Sequence, residues 1–224
     1  FIEQADWDAN GEPFDPIELE GMVCYGGLDL SSTRDLTAFS LWFPEPGKLL
    51  TWHWVPADTI AERVERDRVP YDKWAADGWM EKTVGRATDR LAIARRLADV
   101  RQAYDVKAIA FDRWRFEDLR KLLTDEGIEL PLAEFVPGFK TYAGAVDAFE
   151  RAVLERRMLH NGNPLLRWQA GNVMVETDPA GNRKPTKAKS LDRIDGIVTA
   201  IMAAGIAATD EGAAAYRGDG PMWL

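Results

Sequence analysis

The chain has 224 residues, a mass of 25.1 kDa, 46% hydrophobic and 29% charged residues, which suits a packed globular domain rather than a disordered or fibrous one. A single cysteine, Cys24, and two histidines exclude an internal disulfide and leave no cysteine-rich zinc site. The longest nearly continuous apolar run, Ile197 to Ala208, is about half of a bilayer span, and the acidic start at Phe1 is unlike a signal peptide; no membrane partner is expected.

The net charge of -9, with a pI near 4.9, at first argues against a polyanion partner, since phosphate binding relies on Lys and Arg. The charge is unevenly spread, however. Residues 1–150 balance at -11, whereas residues 151–193 hold 9 Lys and Arg against 4 Asp and Glu, a local +5. A polyanion is therefore sought along that segment, where the alternative is a solvated basic face.

In chain order, residues 1–21, with Asn10-Gly11, Pro13 and Pro16, read as a linker or an arm lying on the domain. Met22 to Leu30, Leu36 to Phe43 and Leu49 to Val55 are rich in strand formers and divided by turn-like segments, giving a three-strand antiparallel meander. Asp58 to Arg68 and Thr88 to Tyr104 carry helical periodicity, the second with Thr88 as N-cap. Val106 to Phe111, Phe116 to Glu126 and Leu130 to Val136 follow as strand, helix and strand, a parallel unit. Helices over Thr141 to Arg157 and Asn163 to Val175, a basic loop over Gly181 to Lys189, and a last helix from an N-cap at Ser190 to about Ala208 complete residues 22–209. Residues 210–224 read as a flexible tail. The fold class is α/β: a mixed sheet, an antiparallel meander plus parallel strands, with helices on both faces.

Three groups of residues invite a chemical reading. Asp29 ends the first strand in Gly26-Gly27-Leu28-Asp29-Leu30-Ser31-Ser32, and Asp112 ends the fourth in Ile109-Ala110-Phe111-Asp112. Asp192 and Asp195, three apart, fall on one face of the last helix. Acids at neighbouring strand ends and on the inner face of a helix suit a shared hard cation, Mg²⁺ or Mn²⁺. Two such ions about 4 Å apart can activate water and stabilise the leaving oxygen of a phosphodiester. Taken singly, each Asp also has a structural reading as a turn former or helix cap, and Asp35 reads as a turn residue. His53, between Trp52 and Trp54, reads as a packed or edge histidine, and His160, beside Asn161-Gly162, as a surface-turn residue. No phosphate-binding P-loop, G-x-G-x-x-G or G-x-S-x-G motif occurs.

The blocks Gly26-Gly27-Leu28-Asp29-Leu30-Ser31-Ser32-Thr33-Arg34-Asp35-Leu36-Thr37-Ala38, Phe111-Asp112-Arg113-Trp114 and Lys189-Ser190-Leu191-Asp192-Arg193-Ile194-Asp195-Gly196 resemble, in this order, the C-terminal nuclease domain of tailed-bacteriophage terminase large subunits. The resemblance runs from Gly21 to Ala208. It implies an RNase H-like fold and a metal-dependent endonuclease that cuts concatemeric viral DNA in the cytoplasm of an infected or lysogenic bacterial host. Position by position, Asp29, Asp112 and Asp195 would be the catalytic metal ligands and Asp192 an additional ligand. Double-stranded DNA would be the substrate, and an ATPase motor domain, a small terminase subunit and a portal the partners. The motor's own motifs do not occur here, and Phe1 to Glu20 would be a remnant of the linker from it. Lys184, Lys187, Lys189 and Arg193 are placed in sequence to hold a DNA backbone beside the acids.

Three other readings stay open on the residues alone: another RNase H-like nuclease of resolvase or transposase type, a non-catalytic DNA or portal docking module, and an actin-like nucleotide-binding fold.

Overall fold

The computed structural model describes residues 1–30, 36–112 and 116–216, with side chains to residue 210. The turn expected at Ser31 to Asp35, the Arg113-Trp114 part of the middle block and the tail from 217 lie outside the described residues.

The elements run α1 (Gln4–Asp8), β1 (Val23–Asp29), β2 (Thr37–Phe43), β3 (Lys48–Pro56), α2 (Ile60–Asp67), α3 (Tyr71–Ala76), β4 (Glu81–Thr83), α4 (Arg90–Ala103), β5 (Asp105–Phe111) and α5 (Glu117–Asp125). They continue with β6 (Leu132–Glu134), α6 (Phe139–Leu154), α7 (Pro164–Asn172), β7 (Val175–Thr177), β8 (Arg183–Pro185) and α8 (Asp195–Tyr216). Six strands form one sheet in the order β4-β3-β2-β1-β5-β6, and β7 pairs with β8 in a separate hairpin. The meander β1-β2-β3 is antiparallel; β5 joins β1, β6 joins β5 and β4 joins β3 in parallel.

Period-two alternation sends opposite faces of the strands to opposite cores. Cys24 and Leu28 of β1, with Ile109 and Phe111 of β5, pack with Ile93 and Leu97 of α4 and Leu119 and Leu123 of α5. Tyr25 of β1 and Ala110 of β5 face the other way, into a core filled by α6 and α8. That second core also takes Trp7 from α1, so the arm expected over residues 1–21 is packed on the domain at this point. Burying each large apolar side chain contributes about 1.5–3 kcal/mol. Asn10 fixes the same arm by donating to the Asp6 and Val153 carbonyls, each at 2.9 Å, and by accepting from the Met158 amide.

Helix α8 lies close to its neighbours because glycines stand at the contacts, Gly27 on β1 and Gly205 on α8 itself. A Cβ on Gly27 would stand 2.1 Å from the Thr199 carbonyl oxygen, and one on Gly205 would stand 2.3 Å from the Ala145 Cβ of α6.

Four local expectations are corrected. The N-cap of α4 is Asp89, which accepts from the Leu91 amide, one residue after the expected Thr88. Between α2 and α4 the chain also forms α3 and β4, which are too short to give a periodic signal in the sequence. Helix α7 stops at Asn172, and the expected loop is half hairpin: Asp178 accepts from the Ala180 and Asn182 amides, and Gly181 takes a φ of 85°, closing a turn between β7 and β8. Helix α8 begins at Asp195 rather than Ser190. Ser190 instead ties two stretches of loop together, donating to the Thr186 carbonyl and accepting from the Met174 amide. Backbone helix continues to Tyr216, past the expected end near Ala208.

Candidate active site

The parallel register of β1 and β5 ends at Leu28 and Phe111, so Asp29, the last residue of β1, and Asp112, the first residue past β5, each lie one position beyond that pair. This is the carboxyl edge of the sheet, where ligands of open α/β sheets bind. Alternation places Asp29 on the same face as Gly27, the face covered by α8. Both acids line one cleft of about 360 Å³ with Tyr142, Lys184 and Lys187.

Asp195, only 1% exposed, is the first residue of α8. Its neighbour Gly196 donates its amide to the Gln169 side-chain oxygen of α7 at 2.9 Å, satisfying one of the N–H groups that a helix start leaves without an internal partner. The same oxygen lies 3.2 Å from His53 Nε2 on β3. Because Gln169 Oε1 can only accept, Nε2 carries the proton and His53 is the neutral Nε2–H tautomer. Burial holds its pKa down at about 4, against the weaker opposing effect of the Gln169 bond. One turn into the helix, the Thr199 hydroxyl donates to the Gly196 carbonyl and meets Ser40 of β2 at 2.7 Å. A Cβ on Gly196 would stand 2.5 Å from both Gln169 Oε1 and His53 Nε2; glycine is what lets this polar cluster sit directly beneath the helix start.

Between half-buried Asp29 and buried Asp195 stands Lys187. Its ammonium donates to Asp29 Oδ2 at 2.7 Å and to Asp195 Oδ1 at 2.5 Å. Burial works to lower the lysine pKa, but the attraction of Asp195 and then of Asp29 outweighs it and holds the group above the usual lysine range. Tyr142 of α6 senses the same cluster: burial raises its phenol pKa above the ordinary tyrosine value, with Asp29 adding to that rise. Two carboxylates thus converge on one positive charge, and an all-oxygen set of this kind fits Mg²⁺ or Mn²⁺. Among the described residues no three Asp, Glu, His or Cys side chains form a ready-made cage, and Lys187 occupies the space between Asp29 and Asp195.

The remaining residues singled out in the sequence are placed as follows. Asp192 lies before α8, so it does not share a helix face with Asp195. It borders a cleft with Asp195 and Lys187, accepts from the Arg193 backbone amide at 2.8 Å and pairs with the Arg193 side chain at 3.2 Å. Arg193 reaches on to Asp67 at 3.3 Å. Lys184 and Lys189 both pair with Glu176, at 3.1 and 2.9 Å, and Lys184 also stands 4.5 Å over the Phe139 ring. His160 is not on the surface: at 3% exposure it stacks on Trp7 with ring centres 4.4 Å apart, because the N-terminal arm covers it. His53 is fully packed, and Cys24 is buried, its thiol pushed up to about 12 by that burial, with Asp105 adding to the effect. Sequence reasoning assigned no role to Tyr142 or Gln169, and it gave Lys187 to DNA rather than to the acids; a buried polar side chain on an otherwise apolar helix face was the available signal for Gln169.

Residues 1–211 match the family model described as terminase large subunit, endonuclease domain. The chain is 38% identical over 215 residues to the terminase large subunit of Enterobacteria phage HK97, covering 92% of this chain and 41% of that protein. The crystal structure of the HK97 large terminase superposes with a TM-score of 0.85 at 36% identity, covering 92% of this chain and 43% of that one. The large terminase nuclease of thermophilic phage G20c, solved with bound magnesium, shares the fold at a TM-score of 0.52 and 11% identity, over 86% of this chain and 84% of that one. The fold is RNase H-like, as expected, and the chain spans about two fifths of the HK97 protein's length.

Proposed function

The chain belongs to the terminase large subunit endonuclease domain family, and on that premise we propose that it is a metal-dependent DNA endonuclease whose divalent ion is held by Asp29, Asp112 and Asp195. The observation that carries this reading is the meeting of Asp29 and Asp195 on a single cation, the Lys187 ammonium, with Asp112 on the adjoining strand end. A bound divalent ion supplies an activated water and stabilises the leaving oxygen of a phosphodiester. The protein's own part is positional. The sheet edge holds Asp29 and Asp112, the helix start holds Asp195, and the neutral His53–Gln169 pair fixes the first turn of α8. Asp192 is proposed as an additional ligand, close to Asp195 but engaged with Arg193. Lys187 would move from the acids to the substrate backbone as the ion enters, joining Arg193, Lys184 and Lys189 in backbone contacts that position DNA without reading bases.

The proposed substrate is concatemeric viral DNA, cut during genome packaging in the cytoplasm of the bacterial host. The proposed partners are an ATPase motor domain, a small terminase subunit and a portal.

The test is nicking and linearisation of supercoiled plasmid in Mn²⁺, Mg²⁺ or EDTA, with Asp29→Asn, Asp112→Asn and Asp195→Asn in parallel. Metal-dependent cutting that each substitution lowers more than about 100-fold, beyond the loss of an outer-shell partner, is the expected result. Undiminished cutting by Asp195→Asn would remove the carboxylate assignment.

A further inference from the structure

A second cluster of charge lies outside the carboxylate site. Helix α2 and the loop before α8 enclose a cleft of about 660 Å³ in which four guanidinium groups converge, those of Arg63, Arg66, Arg86 and Arg193. Only two carboxylates line it with them, Asp67 and Glu62. Asp67 acts as the organiser: it accepts from Arg66 at 2.6 and 2.8 Å and pairs with Arg193 at 3.3 Å. A guanidinium has five N–H donors, so the two that Arg66 gives to Asp67 leave three that this pair does not use. Glu62 meets Arg86 at the exposed rim, at 3.4 Å, where such pairs contribute little.

The interior of the cleft is electropositive. Arg63 is 3% exposed, and its Nε donates to the Thr59 hydroxyl at 3.1 Å. Burial, and then repulsion from Arg193 and Arg66, lowers its pKa; the pull of Asp67 ranks behind both. The buried Nε of Arg193 has no hydrogen-bond partner among the described residues. A buried donor left in that state is costly unless a ligand meets it. Planar guanidinium forks match phosphate oxygens two at a time.

The cleft also leads somewhere. Arg66, Asp67 and Arg193 also line a second cleft together with Lys187 and Asp195, so these three residues border both the arginine cleft and the one that reaches the acids. We propose that the Arg63–Arg66–Arg86–Arg193 cleft is a binding site for backbone phosphates of the duplex DNA substrate, away from the phosphodiester that is cut. The proposal rests on the endonuclease reading above and adds to it the path of the substrate: across α2, over the loop before α8, and into the acids. This shared border with the Asp195 cleft favours the DNA backbone over a free nucleotide or inorganic phosphate.

The experiment measures the anisotropy of a short fluorescein-labelled duplex in Ca²⁺ across a salt series, for the wild type and for Arg66→Gln/Arg86→Gln. Turnover of bis(p-nitrophenyl) phosphate in Mn²⁺, a diester with no second phosphate to occupy the arginine cleft, is measured alongside. The expected result is duplex affinity weakened about tenfold or more, a salt slope shallower by about 2, and unchanged turnover of the small diester. A wild type that binds and cuts duplex, with a double variant of equal affinity and equal salt slope, overturns the cleft and leaves the endonuclease reading standing. A wild type that neither binds duplex nor cleaves the diester overturns both. Inorganic phosphate displacing the duplex at concentrations comparable to the duplex's own would also overturn the DNA assignment. If loss of the Arg66–Asp67 bond lowers the melting temperature, Arg86→Glu at the exposed rim carries the same comparison alone.

Discussion

Gly27 of β1 and Thr199 of α8 approach so closely that a Cβ on the glycine would stand 2.1 Å from the threonine's carbonyl oxygen. The obstacle is backbone, which cannot rotate away, so the helix itself must move. Gly27→Ala is expected to destabilise the domain by about 3 kcal/mol, at the upper end of overpacking costs. It would also displace Asp195 relative to Asp29. Chemical denaturation reads the first effect and Mn²⁺ affinity the second; an unchanged denaturation midpoint would show that α8 is seated differently.

Lys187 neutralises a pair of acids of which one is almost fully buried. Lys187→Met leaves Asp29 and Asp195 to repel each other. The metal-free protein should lose about 2 kcal/mol, less than a fully buried pair would lose because Lys187 is partly solvated. Added Mn²⁺ should recover most of that loss and bind more tightly than to the wild type. Thermal melts with and without Mn²⁺ decide it; equal losses in both conditions would mean that the lysine and the ion do not compete.

His53 gives the stability curve an acid limb. Its folded pKa of about 4 lies below the ordinary value of 6.5, so between these values the unfolded chain binds more protons than the native one. Stability from keeping His53 neutral is complete above about pH 6.5 and is lost as the pH falls toward 4, by on the order of 3 kcal/mol. Burial likewise lowers the His160 pKa, which adds loss in the same direction. His53→Gln should flatten part of this limb between pH 6.5 and 4, measured by urea midpoints; an identical slope would place the titration elsewhere.

Asn10 joins the N-terminal arm to the end of α6 and the segment after it through two side-chain hydrogen bonds, donating to the Val153 carbonyl and accepting from the Met158 amide. Asn10→Ala leaves the buried Val153 carbonyl and Met158 amide without this partner, at a cost of about 1–3 kcal/mol. Protease cleavage within residues 1–11 should rise correspondingly. A variant as resistant as the wild type would show that Trp7 and the Arg167–Asp8 pair hold the arm without these two bonds.

Much of this architecture was legible because its signals are local. Strand formers with two-residue alternation and turn residues between them mark β1, β2 and β3, and the same alternation turns Asp29 toward the covered face. What escaped depends on partners distant in sequence. The basic segment revealed its sign but not its pairing: Glu176 takes Lys184 and Lys189, and the acids take Lys187. Asp192 reads as helical because Ser190 is a good capping residue, yet the helix starts where Gln169, from another element, supplies the first acceptor. His160 read as a surface residue because nothing near it in sequence shows that Trp7 will lie over it.

The wide separation of Asp29 and Asp195 along the chain sets an order on synthesis. Until α8 leaves the ribosome, one face of the central sheet has lost its main cover, with Tyr25 and Ala110 awaiting Ile197, Ile201 and Ala204. Domains made from the N-terminus forward expose such faces while they wait. The residue that completes the acid cluster is also the first residue of the helix that closes this core. In a nascent chain Asp195 therefore joins Asp29 only once α8 seats on the sheet, so the chemistry proposed for these acids would wait on the packing of that helix.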